Sequence, residues 1–247
     1  MLAISTFGAM KAESTKGLRT AAALMAWCCC SAANAVSIAP VLVELTPARR
    51  VVSITIGNSG ATPVSLQTQV LNWQQVGGVD QYGETADIIV VPPIAEVPAG
   101  GSQVFRVTTH LPPNSQEMAF RLIFEDVTEM TGPAADDTSM QVSLRINHNL
   151  PVFYGAVPPG AAAPRIVACQ AAAVGVGCVR VENQGDHYAV IRSITLSSGE
   201  WRKELTVSTR VLAGAWRQWE FDLPRQSGAK ISVAADTSTG PILGELP

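Results

Sequence analysis

The chain has 247 residues, 47% of them hydrophobic and 15% charged, with a formal net charge of −3. That composition excludes intrinsic disorder, and the slight acidic excess argues against a nucleic-acid binder, whose surface carries a basic surplus. The length suits two domains or one large one, and 16 prolines and 20 glycines point to short elements joined by many turns.

Residues 1–35 read as a secretory signal peptide. Lys11, Lys16 and Arg19 accompany an apolar run that ends at Cys30, and Ala33-Asn34-Ala35 is an A-x-A cleavage signal. The uninterrupted apolar part, Ala21 to Cys30, is shorter than the roughly 20 residues that span a bilayer, and no other stretch comes closer, so no membrane insertion is expected. Cleavage would leave 14 basic and 19 acidic residues of the original 17 and 20, a net charge of −5. It would also remove three of the five cysteines. Cys169 and Cys178 remain, in a compartment where disulfides form, and a bridge between them is expected. A redox pair would show the C-x-x-C spacing, which is missing.

The mature chain begins with Val36 to Leu45, apolar and interrupted at Pro40, which predicts a strand that switches partners midway or runs along a margin. Arg50–Gly57 and Val64–Trp73 alternate with period two. Gly77-Gly78 and Asp80 to Gly83 read as a polar loop. Asp87–Val91 is a short strand stopped by Pro92-Pro93, and Ile94–Val97 another. Gln103–Thr108 alternates, His110 to Ser115 is a proline-rich turn, and Met118–Val127 is again a strand. The acidic run Thr131 to Thr138 lacks any hydrophobic spacing.

The longest alternation follows, Thr138 to Tyr154. Met140, Val142, Leu144 and Ile146 are apolar, then Leu150 and Val152, with Gln141, Ser143, Arg145 and Asn147 between them. A strand with one apolar and one polar face has this period, and it is expected to run until Pro151 removes a backbone donor. Two readings stand side by side: an ordinary sandwich strand, or an exposed edge whose alternating side chains are lent to another protein. About seven strands without a helix support an immunoglobulin-type β-sandwich.

Val157 to Pro164 is the clearest linker, extended and semi-rigid because of its prolines. Beyond it, strands are expected at Arg165–Gln170, Cys178–Asn183, Ala189–Leu196, Glu204–Val207, Arg217–Leu223 and Ile231–Ala234. They would make a second, smaller sandwich, pinned early by Cys169 and Cys178.

Catalytic chemistry is sparse. His110, His148 and His187 are far apart in sequence and in no metal spacing, and no G-x-S-x-G, H-E-x-x-H or P-loop occurs. Asp136-Asp137 reads as an acidic loop. No enzyme, metal or cofactor is expected. Arg106 and Arg121 sit inside strands, in VFRVT and AFRLIF. Each is either a solvent-face charge or a cleft arginine that forks onto a partner's carboxylate.

With these residues in view, the chain resembles the periplasmic chaperones of the chaperone–usher pathway, which assemble pili. The resemblance rests on the opening VSIAPVLVEL, Trp73, Val90-Val91-Pro92-Pro93, Pro98-Ala99-Gly100, Gln103 to Val107, Phe120-Arg121-Leu122 and the ending Leu150 to Tyr154. The L-P-V-F ending is more similar to the archaic branch, associated with spore-coat-U-like subunits, than to the P-pilus type. The resemblance implies an all-β chain of two immunoglobulin-like β-sandwich domains set as a boomerang: signal peptide 1–35, N-terminal domain 36–157 and C-terminal domain 158–247. It implies donor-strand complementation, in which the chaperone lends an edge strand to a subunit sandwich lacking its last strand. The donor residues would be Val142, Leu144 and Ile146, with Met140 as a fourth. Partners would be pilus or fimbrial subunits in the periplasm and an outer-membrane usher. Many members anchor the subunit's terminal carboxylate with an arginine in the first strand and a lysine late in the donor strand. The corresponding positions here are Leu42 and Pro151, so Arg121 or Arg106 is the candidate substitute, or the anchor is built differently. A pilus subunit, a generic secreted two-domain sandwich and an enzyme are the rival readings; none of the three accounts for two domains with a long alternating strand closing the first.

Overall fold

The computed structural model describes residues 36–129, 145, 147–155, 159–223 and 230–247. All regular elements among them are strands. The first ten are β1 (Val36–Ala39), β2 (Val43–Leu45), β3 (Val51–Asn58), β4 (Val64–Val76), β5 (Val79–Glu84), β6 (Ile88–Val91), β7 (Ile94–Val97), β8 (Ser102–Thr109), β9 (Met118–Asp126) and β10 (His148–Tyr154). They form two sheets, one ordered β1-β3-β8-β6 and one ordered β2-β10-β9-β4-β5 with β7 also on β4. Period-two alternation sends Ile54 and Ile56, Phe105 and Val107, Phe120, Leu122 and Phe124, and Leu150, Val152 and Tyr154 into one core between them. Phe105 and Phe124 meet edge-on across the sheets, ring centroids 5.0 Å apart.

The opening segment changes sheets as its proline suggested. β1 pairs with β3 in the first sheet, and β2 pairs with β10 in the second. Pro40 sits between them, where a missing donor costs no ladder bond.

Two expectations for this half are corrected. The polar stretch after Gly77-Gly78 is not a loop: it is β5, paired antiparallel with β4 from Val76↔Val79 to Leu71↔Glu84. Gly77 and Gly78 have φ of 62° and 79°, the left-handed pair that a tight hairpin turn needs. β5 is exposed at nearly every position, so it carries no hydrophobic alternation to read. Pro151 does not end its strand either; β10 continues to Tyr154. Pairing with β2 begins only at Val152, so among the described residues no strand pairs with Pro151 on that flank, where proline is tolerated.

The remaining strands are β11 (Pro164–Ala168), β12 (Val176–Asn183), β13 (Ala189–Ser198), β14 (Trp201–Val211), β15 (Trp216–Asp222), β16 (Ile231–Thr237) and β17 (Gly240–Leu246). They form sheets β11-β12-β15 and β14-β13-β16-β17 over a separate core of Val179, Val181, Ile191, Ile194, Leu196, Phe221 and Val233. No sheet mixes strands of the two halves. β17 escapes sequence reading because Gly240, Pro241 and Gly244 interrupt it, which an edge strand permits.

The described end of the expected linker is not a free spacer. Gln184 N and Asp186 N donate to the carbonyls of Ala163 and Ala161 at 3.1 Å, and Ala163 N donates to Asn183 Oδ1 at 2.9 Å. Asn183, 1% exposed, spends its amide on the carbonyls of His187, Val211 and Leu212. A buried amide with every group satisfied holds this corner rigidly. Cys169 and Cys178 are bridged, Cα atoms 5.2 Å apart, clipping the end of β11 to β12.

Candidate functional site

β10 is flanked unequally. It pairs with β9 over its whole length, from His148↔Phe124 to Tyr154↔Met118. It pairs with β2 only over Val152–Tyr154. Between His148 and Pro151 the flank away from β9 carries no strand among the described residues, which leaves a row of backbone groups open to pairing. Upstream, Arg145 Nη2 donates to the Thr128 carbonyl at 2.6 Å, and Asp126 N donates to Asn147 Oδ1. Met140, Val142, Leu144 and Ile146 lie outside the described residues. In sequence their even parity is that of the core-facing Leu150, Val152 and Tyr154.

The odd positions of β10 face the other way, toward the second half. Phe153 joins Trp73 of β4 and Ala119 of β9 in a cluster with Tyr188, Leu212 and Ala215 of the second sandwich, and Leu42 packs against it. Phe153 stacks on Tyr188, ring centroids 4.1 Å apart, and lies 6.0 Å from Trp73. The sequence carries a signal for this. Val152-Phe153-Tyr154 breaks the alternation, and three consecutive apolar residues mean that both faces of the strand are covered.

Arg121 stands on this covered face. Its Cα is paired with Pro151 on one side and Leu71 on the other. Its guanidinium lies 3.8 Å from the Trp73 ring centroid, a close cation–π contact. Burial disfavours its charge, which Tyr82 and Asp80 counteract, and its Nε is buried without a hydrogen-bond partner. Arg121 therefore sits beside Pro151, on the sheet face where Leu42 also packs. Arg106 sits on β8 in the opposite sheet, exposed, with Ser53 and Val91 as Cα partners.

Two acidic side chains at the junction are engaged. Asp80 accepts from Trp73 Nε1 at 2.7 Å and Gln75 Nε2 at 3.0 Å, and pairs with Arg217 of the second sandwich. Burial would raise its carboxyl, but these partners hold it below the usual carboxylate range. Glu117 reaches across with its backbone N to the Asp186 carbonyl, and its Oε1 accepts from Tyr188 N at 3.0 Å. Its Oε2 meets His187 Nδ1. Burial pushes the Glu117 carboxyl up to about 8, against the Tyr188 N–H and with help from the charge of Glu44. Burial likewise lowers the His187 imidazole, with Glu44 opposing. A buried carboxyl thus meets a half-exposed imidazole at the junction. Sequence reading missed it because Glu117 and His187 lie 70 positions apart in the chain.

Among the described residues there is no group of metal-ligating side chains and no helix long and apolar enough to cross a membrane.

Comparison with known proteins accounts for this architecture. No curated protein sequence matches the chain. Among solved structures it is similar to the CsuC–CsuE chaperone–tip adhesion subunit pre-assembly complex from archaic chaperone–usher Csu pili of Acinetobacter baumannii, with 20% identity and a TM-score of 0.59, covering 85% of this chain and 97% of that one. It is similar to the Salmonella enterica SafA pilin–SafB chaperone complex at 17% identity and a TM-score of 0.59, over 87% of this chain and 97% of that one. The E. coli chaperone DraB gives 17% identity and a TM-score of 0.56, over 86% and 97%. At these identities the likeness is one of fold. Residues 35–159 match the pili and flagellar-assembly chaperone family through its PapD N-terminal domain. That match spans half of the chain and the whole of the first sandwich, and the chain belongs to this family of pilus-assembly chaperones.

Proposed function

We propose that this protein captures pilus subunits in the periplasm by donor-strand complementation and delivers them to an outer-membrane usher. The observation that carries the proposal is the unequal flanking of β10. One side is fully paired, and on the other no strand pairs before Val152 among the described residues, next in the chain to the alternating Met140, Val142, Leu144 and Ile146. An open edge supplies backbone hydrogen bonds to an added strand, and alternate apolar side chains supply the specificity. Division of the chain into signal peptide 1–35, chaperone domain 36–157 and C-terminal domain 158–247 fits this reading. The L-P-V-F ending, Leu150 to Phe153, favours the archaic branch.

In the proposed complex Arg121 receives the subunit's terminal carboxylate. It borders Pro151, on the face against which Leu42 packs, so a guanidinium from β9 could serve where those two residues carry no charge.

Leu144→Asp tests the donor strand. Burial of one such side chain contributes roughly 1.5–3 kcal/mol, and a carboxylate in an apolar groove reverses the sign. Co-expressed subunit is expected to be degraded or to aggregate while the chaperone still accumulates, and Ser143→Asp is expected to do much less. Soluble subunit at the wild-type level with Leu144→Asp would overturn the donor-strand assignment.

A further inference from the structure

A cavity of about 310 Å³ opens at the junction, lined by Gln75 and Val76, by Glu117 and Met118, and by Leu212 and Ala213. The first sandwich meets the second on two sides of it. On one side Phe153 stacks on Tyr188, and Glu117 accepts from Tyr188 N. On the other the β4–β5 hairpin reaches past its own sheet. The side-chain amide of Gln75 takes the place of a peptide group at the end of β14: its Nε2 donates to the Arg210 carbonyl at 2.9 Å, and Leu212 N donates to its Oε1 at 2.9 Å. Beyond the turn Asp80 pairs with Arg217, whose Nη1 also donates to the Gly78 carbonyl at 3.1 Å.

The tip of the hairpin carries two left-handed glycines with different surroundings. Around Gly77, with φ of 62°, a Cβ would meet nothing within 4 Å. On Gly78, with φ of 79°, it would lie 2.8 Å from Cε3 and Cη2 of Trp216 and closer still to Cζ3. That is well inside the roughly 3.5–4 Å at which carbon atoms rest. The turn asks for left-handed backbone at both residues, which asparagine also adopts. Contact with Trp216 is what restricts Gly78 to glycine. Trp216 is held in turn from its own sheet: the Arg180 guanidinium carbon lies 3.9 Å from its ring centroid, and Arg180 Nη2 donates to Gln218 Oε1 at 3.0 Å. An indole fixed by one sandwich thus receives bare backbone of the other, with the bonds of Gln75 and Arg217 around that contact.

Two domains joined over a small area move relative to one another by default. A second support on the far side of a cavity removes the freedom to rock about the first. We propose that the β4–β5 hairpin is a strut that sets the angle between the two sandwiches, and that Gly78 and Trp216 are positioning residues for subunit capture. The inference rests on the proposed function above: Phe153 turns one face of β10 toward the second sandwich, so a subunit paired along β10 lies beside that sandwich and the angle decides how much room it has.

The test uses isotopically labelled mature protein in a weakly aligned medium, where residual dipolar couplings of the backbone amides report the angle between the sandwiches. Capture is read in parallel with a pilus subunit of the same gene cluster, diluted from urea and counted as soluble complex. Gly77→Asn and Gly78→Asn put one side chain at two left-handed positions. Gly77→Asn is expected to keep the wild-type angle and yield. Gly78→Asn is expected to turn one sandwich relative to the other, with the couplings inside each sandwich still fitting its own structure, and to lower the yield severalfold. Trp216→Ala removes the support without adding a side chain to the turn. It is expected to lose the fixed angle and the yield likewise, and it decides the matter where Gly78→Asn fails to fold. Wild-type couplings in both variants overturn the strut. An altered angle with wild-type yield overturns the positioning role alone. Wild-type protein that yields no complex overturns the capture reading and the positioning role with it, while the couplings still decide the strut.

Discussion

The two sheets of the first sandwich present outer faces with opposite fates. On β3, β6 and β8 that face meets solvent: Val51, Ile89, Val91 and Val104 are exposed around Arg106, Val91 at 54%. On β4, β9 and β10 it is covered by the second sandwich, and Phe153 is 1% exposed. Both faces carry an arginine inside an apolar strand. Arg106 is a solvated surface charge, while Arg121 is pressed on Trp73 in a cleft with an orphan donor. A residue's chemistry here follows from what lies above its sheet and not from its neighbours in the chain.

The largest expected effect of this difference is on stability. Phe153→Ala removes a ring packed from both sides and should cost about 3–5 kcal/mol. Ile89→Ala, on the open face, should cost about 1 kcal/mol or less. Urea unfolding of both variants measures this, and equal losses would mean that the second sandwich does not cover the face as described.

A smaller effect separates the arginines. Arg121→Ala is expected to weaken capture of the subunit about tenfold or more without lowering the unfolding midpoint of the free protein much, as expected for loss of a charge-assisted hydrogen bond. Arg106→Ala is expected to leave capture unchanged. Titration of purified subunit against both variants decides, and similar affinities for the two would remove Arg121 from the site.

The smallest effect concerns the junction's titration. The Glu117 carboxyl has a folded pKa of about 8 against an ordinary value of 4.5. The folded chain holds that proton more tightly, so its contribution to stability is full below pH 4.5 and is lost as the pH rises towards about 8. His187, lowered by burial, acts in the opposite sense, adding stability as the pH rises to its ordinary value of 6.5. Glu117→Gln removes the first contribution and keeps the second. Between pH 5 and 8 the melting temperature of the wild type is expected to fall relative to that of the variant. Parallel curves would show that the Glu117 proton is not linked to folding.

Much of this was legible in the sequence. The strands of the first core follow from alternation, because a sheet with one buried face needs apolar residues at every second position. Pro40 announced the change of sheet, and the two cysteines left beyond residue 35 announced their bridge. Where both faces are solvated, as in β5, the pattern vanishes. Where glycine and proline interrupt an edge, as in β17, it vanishes too.

The even-numbered apolar residues from Met140 to Ile146 and the in-strand arginines are properties of the chain, visible without a structure. Which arginine enters a cleft and that Glu117 meets His187 were decided only by the packing of one sandwich on the other. The reason is physical: alternation encodes which face of a strand is apolar through contacts a few residues apart. A junction between domains is made by residues tens of positions away, each ordinary in its own segment.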